Sequence, residues 1–162
     1  MLTMANKFCE WKSVVDVGCG NQQLKAVIKD MNPESKYIGI DLLDHCVDTL
    51  IADFNKGEFP KVSADLAILS GVVEHVYPEM INTFIDHVCA SSPVIVVSYW
   101  PIDYDKRFVW ATKGKKKRPE IWVNHYKLGD IVTLFAARQF QLEMLERYNE
   151  TSQYLLLFKA HH

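Results

Sequence analysis

Ser13-Val14-Val15-Asp16-Val17-Gly18-Cys19-Gly20-Asn21 is the stretch on which the fold turns. Its first half is β-branched and nearly all apolar, the composition of a strand buried on both faces. Gly18 and Gly20 then let the chain turn sharply and bring backbone amides close to a ligand. Asn21 can cap the helix that follows, along which Leu24, Val27, Ile28 and Met31 form one apolar stripe at i, i+3, i+4 and i+7. Asn32-Pro33 stops that helix. A strand, a glycine turn and a helix in this order open a βαβ unit, and the helix N-terminus presents N–H groups to a carboxylate.

Outward from this stretch, short apolar runs alternate with helical patterns, the signature of an α/β domain. Tyr37-Ile38-Gly39-Ile40 reads as a second strand ending at Asp41, and Thr49-Leu50-Ile51-Ala52 as a third ending at Asp53. Leu66-Ala67-Ile68-Leu69 is a fourth, ending at Ser70-Gly71, and a fifth runs from Pro93 to Ser98. Between them a helix is expected from Pro78 to about Cys89, with Met80, Phe84, Ile85 and Val88 inward. Another is expected over Tyr126 to Gln139. The last two strands, Gln141 to Tyr148 and Gln153 to Lys159, flank the turn Asn149-Glu150-Thr151-Ser152 and make an antiparallel hairpin. The links after the second and third strands, Leu42 to Asp48 and Phe54 to Ala64, are short for crossover helices. The expected architecture is a Rossmann-like three-layer sandwich: a seven-stranded, mostly parallel sheet with a C-terminal antiparallel hairpin and pared-down crossovers.

Four glycine or acid signals fall at the carboxyl ends of successive strands, where open α/β sheets bind ligands. They are the Asp16-to-Gly20 turn, Asp41, Asp53, and Ser70-Gly71-Val72-Val73-Glu74-His75. An acid about twenty residues beyond the glycine turn, as Asp41 is, suits ribose hydroxyls. Taken alone, Asp41 or Asp53 could equally cap a local turn. A dinucleotide fingerprint wants a glycine where Gln23 stands, and Asp16 would repel a pyrophosphate.

Val-Val-Asp-Val-Gly-Cys-Gly at 14–20, Tyr-Ile-Gly-Ile-Asp at 37–41, Ile-Ala-Asp-Phe at 51–54 and Ala-Asp-Leu-Ala-Ile-Leu-Ser-Gly-Val-Val-Glu-His-Val at 64–76 resemble, in order, the motifs of class I S-adenosylmethionine-dependent methyltransferases. The resemblance spans nearly the whole chain, and the terminal hairpin is similar to that family's sixth and seventh strands. It implies S-adenosylmethionine as cofactor and S-adenosylhomocysteine as product. Gly18, Cys19 and Gly20 would pass under the methionine portion, with Asp16 nearby. Asp41 would hold the ribose hydroxyls, Leu42 would pack on the adenine, Asp53 would meet its amino group with Phe54 beside the ring, and Ser70 and Gly71 would line the floor near the sulfonium. The chain departs from the family at Gln22, where many members have a third glycine.

Acceptor and acid–base candidates are less sharply marked. Methyl transfer is an in-line displacement, helped by a base only when the acceptor must lose a proton. His75 suits that task near neutrality, as does His125, yet each could serve merely to start or pack a helix. His45 and His87 read as surface or core residues, and Asp65 as structural. The aromatic, basic segment from Tyr99 to His125 follows the fifth strand, so Tyr99, Trp100, Tyr104 and Trp122 are the candidate acceptor wall. Lys106, Arg107, Lys113, Lys115, Lys116, Lys117 and Arg118 could be a solvated loop or could meet a phosphate-bearing acceptor, nucleic acid included.

Composition sets the outer limits. The chain has 162 residues, 49% hydrophobic and 23% charged, with a formal charge of −2, so nothing calls for a polyanionic partner. No apolar run approaches the ~18–20 residues of a spanning helix, and Met1 to Glu10 lacks a signal-peptide pattern, so the protein is expected to be cytoplasmic and to have no membrane partner. Cys9, Cys19, Cys46 and Cys89 form no CxxC pair, which argues against a zinc site or a disulfide framework, and no metal is expected. His161-His162 reads as a tag remnant, leaving 1–160 as one domain. The function expected is methyl transfer to an O or N atom of a small-molecule or sugar-like acceptor. The alternative is a non-catalytic cofactor-binding module, or a fragment that needs a partner domain or a second copy.

Overall fold

The strongly β-branched runs form the middle of one sheet. The computed structural model describes residues 1–101, 126–147 and 153–161. Seven strands, β1 (Ser13–Val17), β2 (Lys36–Asp41), β3 (Thr49–Ile51), β4 (Leu66–Ser70), β5 (Val94–Tyr99), β6 (Phe140–Arg147) and β7 (Tyr154–Ala160), lie in the order β3-β2-β1-β4-β5-β7-β6. β1 to β5 are parallel to one another, while β7 runs antiparallel between β5 and β6. The seven-stranded α/β sheet with its terminal hairpin is thus the expected one.

Alternation along each strand sends side chains to two helical layers. On one face Val14, Leu66, Ile68, Val94, Val96, Leu155 and Leu157 pack with Ile28 of α2 (Gln23–Met31) and with Leu2, Met4 and Ala5 of α1 (Leu2–Ala5). On the other, Val15, Val17, Ala67, Leu69, Ile95, Val97, Leu156 and Phe158 pack with α3 (Ile81–Ser91) and α4 (Leu128–Ala136). Phe135 stacks on Phe158 at 4.2 Å between centroids, joining α4 to the hairpin. Asp65, read as structural, accepts hydrogen bonds from the Lys12 and Ser13 amides and the Ser13 hydroxyl, tying the start of β4 to the start of β1.

Three local expectations need correction. The cap of α2 is Gln22, not Asn21, and it stands in the left-handed region at φ 53°, so the helix starts two residues later than its first capping candidate. The helix expected from Pro78 begins only at Ile81, after a turn in which the Met80 amide bonds to the Tyr77 carbonyl. α4 covers Leu128–Ala136, shorter at both ends than the apolar pattern suggested; its start is fixed by the Lys127 amide, which donates to Oδ2 of Asp130 at 2.9 Å, and by the Asp130 amide, which donates to the Lys127 carbonyl at 3.0 Å. The 149–152 turn lies outside the described residues.

The crossovers after β2 and β3 are as lean as expected. Leu42 to Asp48 holds no helix, and the link after β3 holds only a 3-10 turn, Phe54–Lys56. Two helices that would otherwise cover the β3 edge are therefore missing from the described layers. Leu50 and Ile51, which point to opposite faces, are 41% and 54% exposed as a result.

Candidate functional site

β1 and β4 are neighbours in space, and from β1 the chain order runs outward one way to β2 and β3 and the other way to β4 and β5. In an open α/β sheet such a reversal sets the ligand position, a crevice at the carboxyl ends of the two strands, here β1 and β4. The candidate cofactor residues stand at or just after the carboxyl ends of β1, β2, β3 and β4.

The glycine turn is held from both sides. Gly18 (φ 71°) and Gly20 (φ 50°) have left-handed backbones, and a Cβ on Gly18 would stand 2.3 Å from Cγ2 of Val72, in the loop after β4. The amides of Gly18 and Cys19 both donate to the Ile40 carbonyl, at 2.7 and 3.0 Å, and the Gly20 amide donates to Oδ2 of Asp41 at 2.8 Å. These N–H groups are therefore engaged by β2, and the expectation that the turn presents them to a ligand does not hold. What the turn offers is a side-chain-free backbone surface. Cys19 itself is buried, and a Cβ on Gly39 would come within 2.9 Å of its Sγ. Its thiol is pushed up to about 11, chiefly by burial, which makes it a poor nucleophile.

Asp41 is the hub. Besides the Gly20 amide, it takes the Leu43 amide on Oδ1 at 3.0 Å. A carboxylate has about four lone-pair sites, so both oxygens retain capacity for hydroxyl donors. Leu42 and Leu43, beside it, are 43% and 52% exposed, an apolar surface at the crevice mouth. Asp53 caps its own 3-10 turn through the Asn55 amide at 3.0 Å and pairs with Lys56 at 3.2 Å. The ring of Phe54 turns toward Phe59 and Phe84, with centroids 5.4 and 5.1 Å away, so it contributes to the aromatic core.

Asp16 is 3% exposed, and its carboxyl is pushed up to about 6, chiefly by burial. The Tyr37 hydroxyl donates to its Oδ2 at 2.8 Å. At the end of β4, Ser70 is exposed, and the Gly71 amide donates to Oγ of Ser98 at 3.1 Å. Glu74 is buried in the 3-10 turn Val73–His75, and His75 is exposed on that turn. Asn55 laces the two loops together: its amide group donates to the His75 carbonyl (3.1 Å) and accepts from the Tyr77 amide (2.6 Å).

On the acceptor side, one expectation is overturned. Tyr99 is fully buried, and its hydroxyl donates to the Tyr126 carbonyl at 2.8 Å. It is a strut between the end of β5 and the chain entering α4, and it cannot line an acceptor cavity. Trp100 is half-buried immediately after it. Tyr104, Trp122, His125 and the basic cluster from Lys106 to Arg118 lie outside the described residues. His87 stacks on Phe59 (5.1 Å, interplanar angle 3°), as a core-packing histidine does, and His45 is exposed.

Sequence reading missed Tyr37, Ser98 and Asn55. Ser98 pairs in register with Ser70, and Tyr37 precedes Gly39 by two, on the Asp16 face of the sheet. Both signals are visible only once the strands are paired. The Asp-x-Asn spacing of Asp53 and Asn55 was legible in principle.

No protein-family model matches the sequence, and a search of curated proteins finds no match. Solved structures do match. Magnesium protoporphyrin IX methyltransferase from Synechocystis PCC 6803, with bound S-adenosylhomocysteine, superposes with a TM-score of 0.73 at 14% identity, over 99% of this chain and 79% of that one. The chain has the class I methyltransferase fold. A methyltransferase of calicheamicin biosynthesis (TM-score 0.68, 14% identity, 99% of this chain and 52% of that chain) shares it. So does mitomycin 7-O-methyltransferase (0.67, 14%, 93% and 49%). The chain thus spans about half the length of several methyltransferases of this fold.

Proposed function

We propose that this chain binds S-adenosylmethionine at the crevice between β1 and β4 and transfers its methyl group to an O or N atom of a small-molecule or sugar-like acceptor. The observation that carries the reading is the Gly20–Asp41 hydrogen bond, which joins the glycine turn to the strand-end acid around one crevice. Two of the fold neighbours named above are described with S-adenosylhomocysteine bound, which supports the choice of cofactor.

The residues present fit that cofactor. Gly18 and Gly20 give a backbone surface with no side chain in the way, and Asp41 keeps lone pairs for the ribose hydroxyls. Leu42 offers an apolar face to the adenine, while Asp53, half-buried, keeps acceptor capacity for its amino group. Asp16 supplies a buried negative charge for the ammonium of the methionine portion, where a pyrophosphate would be repelled. Ser70 and Gly71 form the floor, with Ser98 holding the Gly71 amide. Bound there, the cofactor supplies a methyl group on a sulfonium; the protein's part is to align donor and acceptor and exclude water. His75 on the loop leaving β4, and His125, are the residues assigned to remove an acceptor proton. Trp100, Tyr104 and Trp122 are assigned to the acceptor wall.

A second reading is favoured by one observation: Leu50 and Ile51 on the β3 edge, and Leu42, Leu43 and Val47 in the link before it, are all exposed. Apolar patches of this kind mark interaction sites. A methyltransferase of this fold is described in complex with the Haloferax volcanii Trm112 methyltransferase activator (TM-score 0.72, 12% identity). The chain would then bind cofactor but need a protein partner for turnover. The test of both is a panel of hydroxyl and amine acceptors read by release of S-adenosylhomocysteine. Turnover supports the enzyme standing alone; saturable cofactor binding with no turnover on any acceptor supports the partner-dependent module.

A further inference from the structure

Asp16 is a buried carboxylate with a specific retainer. In the parallel register of β1 with β2 and β4, Asp16 lies between Gly39 and Ile68, so neither lateral neighbour brings it a polar group. The retainer comes diagonally. Tyr37, two residues before Gly39 on β2, lays its ring over the glycine, and its Cε1 would be 3.2 Å from a Cβ there. Only the missing side chain of Gly39 lets the Tyr37 hydroxyl reach Asp16 Oδ2 at 2.8 Å.

We propose that Tyr37 is a positioning residue for cofactor binding, its hydroxyl aiming and retaining the Asp16 carboxylate as the anion that receives the ammonium of the methionine portion. The inference rests on the cofactor reading above. A buried carboxylate is held in its charged form by donors to it and by cations, and is driven neutral by desolvation and by other anions. The groups facing Asp16 from its surroundings are few. Tyr37 donates from β2, and Asp41 at the end of β2 adds negative charge. Cys19 in the turn is neutral near pH 7, and Lys25 of α2 sits 5.6 Å over the Tyr37 ring. The tyrosine is thus the one direct donor to this carboxylate among the described residues. Burial and the adjacent carboxylate push the Tyr37 phenol itself upward, so it remains a donor across the working pH range.

The consequence is a pH profile with an owner. Asp16 is pushed up to about 6 by burial, so the cofactor must compete with its protonation below that pH. Removing the tyrosine hydroxyl takes away a hydrogen bond to the charged form and moves the inflection upward, by about one unit.

The experiment titrates S-adenosylhomocysteine and 5′-methylthioadenosine into wild type, Tyr37→Phe and Asp16→Asn by calorimetry between pH 5 and 8.5. Methylthioadenosine keeps the nucleoside and thioether but lacks the amino acid. The wild-type affinity for S-adenosylhomocysteine is expected to fall about tenfold per pH unit below the inflection. Tyr37→Phe moves that inflection up, and Asp16→Asn abolishes it. Methylthioadenosine binding stays level with pH and indifferent to both substitutions, which a merely unfolded or distorted protein would not show. If Tyr37→Phe leaves the wild-type inflection where it was, or weakens both ligands equally, the positioning role is wrong while the cofactor reading stands. If the wild type binds S-adenosylhomocysteine with no inflection, Asp16 is not the receiving anion and the inference falls. If the wild type binds neither ligand, the cofactor reading falls with it.

Discussion

The Gly20 amide donates to Oδ2 of Asp41 at 2.8 Å, so the glycine turn after β1 and the acid ending β2 are one structural unit. The Leu43 amide closes the unit from the far side at 3.0 Å. An acid placed to hold a turn is already oriented when a ligand arrives, and preorganisation of this kind saves the ordering cost of binding. Asp41→Ala removes the turn's brace and, with it, the proposed ribose acceptor. Hydrogen bonds to a charged group are worth about 1.5–3 kcal/mol, so the Kd for S-adenosylhomocysteine is expected to rise at least roughly tenfold. Asp41→Asn, which keeps one acceptor, should fall between it and wild type by calorimetry.

Asp16 sets a stability prediction with a definite sign. Its carboxyl is pushed from an ordinary 3.8 to about 6 in the folded protein. Between these values the folded state binds a proton that the unfolded state has released, so stability falls as pH rises through the window. Above pH 6 the full cost of burying the charge is present, about 2–3 kcal/mol. Asp16→Asn, still able to accept from Tyr37, should unfold at higher denaturant than wild type at pH 7.5, and the gap should narrow as pH falls through the window and close below 3.8. A gain in stability together with weaker cofactor binding is the pattern expected of a functional buried charge.

Gly18 tests the packing of the turn. A Cβ would meet Val72 Cγ2 at 2.3 Å on a backbone at φ 71°, which an alanine resists even in open space. Gly18→Ala should lose about 2–4 kcal/mol in urea unfolding. Pairing it with Val72→Ala removes the clash but not the backbone strain, so the double variant should fall short of additivity and recover part of the loss.

Ser98 holds the floor of the crevice through the Gly71 amide at 3.1 Å, with the Ser98 carbonyl a longer second acceptor at 3.4 Å. Because the carbonyl remains, Ser98→Ala should cost only about 1 kcal/mol of stability. Ser98→Thr keeps the hydroxyl and should restore it if the added methyl is accommodated. Thermal unfolding distinguishes the two.

Local spacing made the frame readable. The candidates stand at the ends of four short apolar runs, so the strand ends that carry Asp16, Gly18, Gly20, Asp41, Asp53 and Ser70 could be located without coordinates. What could not be read depends on which strands pair and in what register. The turn amides look available in the sequence, but the parallel pairing of β1 with β2 brings the Ile40 carbonyl to Gly18 and Cys19. Tyr99 looks like an acceptor contact at the end of an aromatic run. The alternation of β5 turns it into the core, where the Tyr126 carbonyl takes its hydroxyl. Gln22 looks like a lost glycine, yet it adopts a left-handed backbone and its amide donates to Thr49 on β3 at 3.0 Å, bracing an edge that has no crossover helix.

By the function proposed above, this crevice takes S-adenosylmethionine and not a dinucleotide. Calorimetric titration of the wild-type chain at pH 7.5 with S-adenosylhomocysteine, and separately with NAD, tests it most directly. Saturable one-to-one binding of S-adenosylhomocysteine with no heat from NAD is the predicted result. Binding of NAD, or of neither ligand, would contradict it.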